Sequence, residues 1–321
     1  DPNVRATSQE LYEGLIAFGQ NAFPNVNFDL GSVNNYLSRF FAAGFYYKTF
    51  MGIPPFEWGK GTAVWMFFEK FIRKAAGMGR VSRLPDPDIY EHANDFCDIL
   101  VVGSGPAGIA AAKEAADKKL DVILVEQDNF IGGDQLSETS FDSNNALAEL
   151  RSLGVRVMKR TTAFGLYDNC VLGLIERVKD QSNPINKELP KQRFWIVRAK
   201  HVIIGSGAFE RHIAFNNNDV PGSMTVNASK HYLNRYGVLT GKNIVISTNN
   251  DSAYGTAEAL VKAGAKVIVL DKRKNLNSDL SNNNFEVRNG VVPYNINGAR
   301  EIKSLDIADT LNSTYKKIDT I

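Results

Sequence analysis

Three hydrophobic patterns run along the chain. Short, fully apolar runs at residues 99–102 and 122–125 read as strands, the first entering a glycine-rich turn and the second ending at a carboxylate. Helical spacing places Val64, Phe67, Phe68, Phe71, Ile72 and Ala75 on one stripe, read as core packing, and a further helix is expected over 143–153. Alternation marks the rest: a returning strand over 155–162, a β-meander over 164–200 with a turn at 180–186, a strand over 201–204 and a strand-like tail over 315–321. Near the start, Thr7 and Glu10 form a capping box ahead of a short helix, residues 8–17. Pro85 and Pro87 mark a linker.

The turn between the first two strands carries the chemistry. Gly103, Gly105 and Gly108 give G-x-G-x-x-G, with Pro106 where a helix's first turn tolerates proline. One glycine makes the tight turn, one leaves room for a pyrophosphate beside bare backbone, and one lets helix and strand pack closely. The helix N-terminus offers free N–H groups and partial positive charge to that pyrophosphate. Glu126 ends the second strand, placed to accept hydrogen bonds from an adenosine ribose. It would repel a 2′-phosphate, which disfavours NADP, but it serves NAD and FAD equally. A glycine turn in an ordinary α/β domain would lack this combination of strand, helix and carboxylate. Downstream, Gly132 and Gly133 again let backbone approach a phosphate-bearing ligand, and Asp134 follows directly.

A second strand–turn–helix–strand unit spans 241–273, with Asp271 ending its second strand. Its turn, Thr248-Asn249-Asn250-Asp251-Ser252-Ala253, has no glycine where phosphate must meet backbone. Side chains there would crowd a pyrophosphate, and Asp251 adds like-charge repulsion. One dinucleotide site is therefore expected, in an α/β protein with a Rossmann-like FAD/NAD(P)-binding fold, a β-meander, a nested second and degenerate nucleotide fold, and an N-terminal mixed segment. The expected domains are 1–95, 96–235 and 236–321.

Composition adds exclusions. The 321 residues are 44% hydrophobic and 22% charged with a formal net charge of +2, which gives no electrostatic case for nucleic acid or an anionic membrane. No signal peptide or membrane-length apolar run is visible. Cys97 and Cys170 are the two cysteines, with no C-x-x-C and no metal-ligand cluster, so a disulfide-active flavoenzyme and a structural zinc are unsupported and a reducing, cytoplasmic setting is expected. The chain opens at Asp1 and closes at Ile321 in structured-looking stretches, as expected of a fragment of a longer polypeptide.

Two nucleotide folds with a β-meander between them resemble the glutathione-reductase-like flavoprotein architecture. The strings PNVRAT, QNAFPNVNFDLGSVN, AGFYYKTFM, FIRKAAGMGR, GAFER and VISTNNDSAYGTA, with the first glycine loop, narrow this. In that order they resemble the alpha subunits of heterotetrameric sarcosine oxidases, from about residue 1 to 275. The resemblance implies a part of a complex that demethylates sarcosine to glycine. FAD in the beta subunit would take the hydride, electrons would pass through FMN at the alpha–beta interface to oxygen, and the one-carbon unit would go to tetrahydrofolate. It implies beta, gamma and delta partner subunits, and NAD rather than FAD at the glycine loop. Carried over by position, the NAD site comprises Ala107 at the pyrophosphate, Glu126, Gln127 and Asp128 at the ribose and adenine edge, Asp134, and Ala163 on the returning strand beside the adenine. Gln127 and Asp128 depart from the family's usual residues. Later NAD contacts would lie beyond Ile321.

No residue is assigned to amine oxidation itself. His201, His212 and His231 lack acidic partners at helical spacing; these three and His92 read as structural, and the cysteines as small buried apolar groups. Lys48, the one cation in the aromatic run 44–51, reads either as a stem packed on aromatic faces or as a neighbour of the interfacial flavin phosphate. Three other readings stay open: a self-contained FAD-dependent NADH oxidoreductase, an opine or other amine oxidase alpha subunit, and a non-catalytic nucleotide-stabilised scaffold.

Overall fold

A computed structural model describes residues 22–25, 27–37, 62–76, 85–86, 88–138, 140–179, 188–274, 284–298, 301–309 and 317–320, with Glu10 and Gly19. The expected helix at 8–17, the aromatic run with Lys48, Pro87 and the turn at 180–186 lie outside the described residues. The chain divides into two compact units, Asp1–Tyr90 with Val178–Gln192, and Glu91–Arg177 with Arg193–Ile321.

In the first unit, helix α1 (Thr62–Ala75) follows the predicted periodicity, and a 3₁₀ helix covers Leu30–Leu37. The stripe on α1 departs from the core-packing expectation. Phe67 and Phe71 are 60% and 63% exposed, and their rings meet each other at 5.7 Å.

The second unit holds both nucleotide folds. A six-stranded sheet has the order β3-β2-β1-β6-β5-β4, formed by β1 (Tyr90–Val102), β2 (Val122–Val125), β3 (Arg156–Met158), β4 (Thr161–Tyr167), β5 (Val171–Arg177) and β6 (Gln192–Ile204). Strands β1, β2 and β3 run parallel, joined by helices α2 (Pro106–Asp117) and α3 (Ser143–Ser152). Successive residues of β1 serve opposite faces. Ile99 and Val101 pack with Ile109, Ala112 and Leu150 of the helices, whereas Leu100 packs with Leu172, Leu174 and Val197 of the meander. The apolar runs are thus strands covered on both sides. Asp142 ends the approach to α3 as its N-cap, accepting hydrogen bonds from the backbone N–H groups of Asn144 and Asn145.

Two strand assignments differ from the sequence reading. The expected strand over 155–162 is β3 and β4, separated at Arg160, whose φ of 53° is left-handed. The Arg160 and Thr161 N–H groups donate to the carbonyls of Asp128 and Glu126, at 2.9 and 2.8 Å. The end of β2 therefore imposes the break. Conversely, the meander's last strand and the expected strand at 201–204 are one strand, β6.

The second fold has a parallel sheet of β7 (Asn243–Thr248), β8 (Lys266–Asp271) and β9 (Glu286–Asn289). Helix α5 (Ser252–Lys262) covers it, with Ala257, Leu260 and Val269 fully buried. Helix α4 (Val226–Tyr236) precedes it, capped by Thr225 and ended by Gly237 in the left-handed conformation. An antiparallel sheet follows, β10 (Val291–Gly298), β11 (Ile302–Asp309) and β12 (Lys317–Thr320), the last within the expected strand-like tail. The hairpin of β10 and β11 was not anticipated from the alternation.

Candidate dinucleotide site

The glycine loop joins β1 to α2 at the carboxyl end of the sheet, where open α/β folds bind ligands. Its glycines divide their roles by geometry. Gly103 has a φ of +93°, and a Cβ there would lie 2.4 Å from the Gly205 carbonyl oxygen. A Cβ on Gly108 would lie 1.9 Å from the Gly103 carbonyl oxygen. Both glycines are required by backbone packing within the protein. Gly105 differs: a Cβ there meets no atom within 4 Å. That open face is where an incoming phosphate can rest against bare backbone. Pro106 is the first residue of α2. Helix geometry leaves the N–H groups of Ala107 and Gly108 without intrahelical carbonyls, beside the exposed Ala107 side chain. Loop and helix end therefore fit the diphosphate of a dinucleotide.

Glu126 is 8% exposed. One carboxylate oxygen accepts a hydrogen bond from the Ser104 N–H at 3.0 Å and another from the Ser104 hydroxyl; the other oxygen accepts from the Asp128 N–H at 3.0 Å. Glycine loop and ribose-side carboxylate are thus tied into one unit. Gln127 and Asp128 are exposed beside it, and Arg177 donates to the Gln127 carbonyl at 2.8 Å. Gly132 donates to the Ser104 carbonyl at 3.0 Å. Gly133, at a φ of +55°, comes so near the loop that a Cβ on it would stand 3.1 Å from the Gly105 Cα. Both glycine segments and Glu126 therefore converge on one place.

Two of the candidate residues stand differently. Asp134 opens a 3₁₀ turn, Gly133–Ser137, and its carboxylate lies 3.5 Å from His231 Nε2 on α4. Ala163 lies on β4, within the meander, opposite Leu174, and is half-buried against the meander-side core; it is not on the returning strand β3. Sequence reading overlooked Ser104, Gly205 and His231. Ser104 occupies a variable place in the motif, and the partners of the other two are distant in sequence.

The second fold's loop is occupied by its own side chains. Thr248 Oγ1 donates to the Asn250 carbonyl at 2.9 Å, and Asn250 Oδ1 accepts from the Ser252 N–H and hydroxyl at 3.0 and 2.6 Å. Arg273 bridges Asp251 at 2.7 Å and Asp271 at 2.8 Å, and Tyr254 donates to Asp271 at 2.9 Å. Burial alone would raise the Asp271 pKa. Hydrogen bonds from the Arg273 side chain and backbone and from Tyr254 outweigh that and hold the carboxyl below its usual range. Burial, followed by the bond to Asp271, pushes the Tyr254 phenol up to about 12. The carboxylate at the ribose position of this fold is already saturated by protein donors.

Among the described residues no group of three His, Cys, Asp or Glu side chains is arranged to hold a metal ion. Nor is any described helix long and apolar enough to cross a membrane.

Comparison with known proteins agrees with this architecture. The FAD dependent oxidoreductase family matches residues 98–229, from the first strand of the site into α4. The sarcosine oxidase alpha subunit of Rhizobium meliloti is 42% identical over 96% of this chain, which covers 31% of that subunit. The alpha subunit from Corynebacterium sp. strain U-96 is 35% identical over 63% of the chain and 22% of that subunit. Among solved structures, Lactococcus lactis thioredoxin reductase aligns over 70% of this chain and 75% of its own, with a TM-score of 0.50 and 18% identity, a likeness of fold. The chain spans about a third of the length of the Rhizobium subunit. Over that span, it is a homologue of the sarcosine oxidase alpha subunits, within the flavoprotein oxidoreductase superfamily.

Proposed function

We propose that this chain is the dinucleotide-holding part of an alpha subunit in a sarcosine oxidase complex, and that the ligand at Gly103–Gly108 is NAD. The observation that carries a single dinucleotide site is the contrast at the two loops. Gly105 presents an open backbone face beside a paired, buried Glu126, whereas Arg273 and Asn250 fill the corresponding place in the second fold. A self-contained FAD-dependent NADH oxidoreductase needs two working sites, and the filled second loop argues against a second one among the described residues. Residues 96–235 would then form the ligand-bearing domain and 236–321 a ligand-free one.

Gly103, Gly105, Pro106, Ala107, Gly108 and Gly133 would hold the diphosphate, and Glu126, Gln127 and Asp128 the adenosine ribose and adenine edge. When bound, the nicotinamide supplies hydride chemistry. The residues of this chain bind and orient. Ser104 fixes the Glu126 carboxylate so that it faces the loop, and the end of α2 offers N–H groups to negative charge. Asp134 and Ala163 are retained as candidate contacts at the edge of the site. The oxidation of an N-methyl amine such as sarcosine, with FAD and an interfacial FMN passing electrons to oxygen and a one-carbon unit leaving to tetrahydrofolate, is assigned to the whole complex of alpha, beta, gamma and delta subunits. Two unpaired cysteines, Cys97 and Cys170, suit a reducing, cytoplasmic setting.

FAD is the alternative occupant of the same site, favoured by the family match over residues 98–229. Mass spectrometry of nucleotides released from the denatured chain, expressed without its partners, distinguishes them. NAD is expected. Released FAD would replace the reading with a flavin-holding one, and the absence of any nucleotide binding would remove it.

A further inference from the structure

The turn Gly132–Ser137 sits against Gly105, the glycine whose open face makes the site. It borders the glycine loop on the side of the Gly105 backbone. On one side it is held by the first fold: Gly132 donates to Ser104 and the Ser143 hydroxyl donates to the Ile131 carbonyl at 2.7 Å. On the other side it is held by α4, the helix that leads into the second fold and packs Val226 and Leu233 against that fold's core.

Two residues of α4 reach this turn, and a third reaches Phe130 just before it. Asn234 Nδ2 donates to the Ser137 carbonyl at 2.9 Å. His231 Nδ1 meets the Ser137 hydroxyl at 2.9 Å while its Nε2 lies 3.5 Å from Asp134. The imidazole tautomer protonated at Nε2 satisfies both contacts, with Ser137 donating to Nδ1. Arg235 stands over the Phe130 ring at 5.9 Å. Positions 231, 234 and 235 share one face of a helix. Elsewhere on α4, Val226 and Leu233 pack against the core of the second fold, and Ser229 hydrogen-bonds Thr240 at 2.8 Å. The start of the helix is fixed by Glu210, which accepts from the Val226 and Asn227 N–H groups at 3.1 and 2.7 Å.

We propose that α4 is the strut through which the ligand-free second fold sets the Gly132–Ser137 turn against the dinucleotide, with His231 and Asn234 as its positioning residues. The proposal rests on reading Gly103–Gly108 as a dinucleotide site. By this reading the second fold, with no ligand of its own, holds one wall of its neighbour's site.

The test uses the full-length protein and NAD⁺ as the probe. In the double variant His231→Ala/Asn234→Ala, amide hydrogen exchange across 130–138 should rise and the NAD⁺ dissociation constant should weaken about tenfold, since two hydrogen bonds to the turn are removed. His231→Asn places an amide near the position of Nδ1 and should recover part of the affinity. Ser137→Ala, which leaves α4 intact, should weaken binding about threefold and serves if the double variant does not fold. Unchanged affinity in the double variant or, where it does not fold, in Ser137→Ala overturns the proposal, whatever the exchange does. If the wild type binds no NAD⁺, the dinucleotide reading fails with FAD also tested as a probe, and unchanged exchange at 130–138 then overturns the strut separately.

Discussion

The two nucleotide folds of this protein share a plan and differ in what occupies the turn. In the first, three glycines leave backbone exposed at Gly105, and a carboxylate, Glu126, is tethered by the loop's own Ser104. In the second, Asn250 fills the turn and Arg273 neutralises both Asp251 and Asp271. Each fold ends its second strand in a carboxylate. Only in the first does the loop beside it present an open glycine face, at Gly105. A strand–turn–helix–strand pattern reports a fold, and the side chains at the turn report whether that fold can hold a ligand.

The comparison breaks most severely at Gly103. Gly103→Ala places a Cβ against the Gly205 carbonyl at a left-handed φ of +93°, and should destabilise the protein by about 3 kcal/mol or prevent folding; urea denaturation measures this. At the second fold, Arg273→Ala leaves the fully buried Asp271 carboxylate short of its main partner. A loss of stability is expected in urea denaturation, smaller than for a fully buried pair because Arg273 is partly exposed. The pH dependence follows from the depressed Asp271 pKa. Its stabilising contribution is complete above the unfolded carboxylate value of about 3.9 and is lost as pH falls through the lower folded value. In Arg273→Ala the acid unfolding midpoint should therefore move to higher pH, while NAD⁺ affinity changes little.

Gly105→Ala sharpens the comparison without disturbing stability. Its Cβ meets no protein atom within 4 Å, so the melting temperature should hold while NAD⁺ affinity falls at least about tenfold, a loss of about 1.4 kcal/mol. Equal losses of stability and affinity would contradict the assignment of the open face to a ligand. The smallest expected effect concerns the sheet beneath the site. Burial raises the Cys97 thiol to about 11, so at pH 8 it should resist a thiol reagent in the folded protein, while the half-buried Cys170 reacts first.

What could be read from the sequence was local. The apolar runs around the glycine loop, the proline at the first turn of α2 and the absence of glycine in the second loop all concern residues that act on near neighbours. What could not be read depended on chain segments brought together by folding. The break at Arg160 is imposed by the end of β2, and the pairing of Asp134 with His231 joins residues on different elements. Spacing along one helix could never have supplied His231 with that carboxylate. Tyr254 and Arg273 also looked ordinary in sequence, yet they seal Asp271. The stripe of α1 misled for a related reason: helical periodicity shows that a face is apolar, and says nothing of what covers it.

The central claim is one dinucleotide site, in the first fold. Equilibrium titration of the chain with NAD⁺, repeated in Gly105→Val and in Asn250→Ala, tests it most directly. The account predicts one equivalent bound per chain, lost in Gly105→Val and kept in Asn250→Ala. Two equivalents, or binding that survives Gly105→Val and disappears in Asn250→Ala, would contradict it.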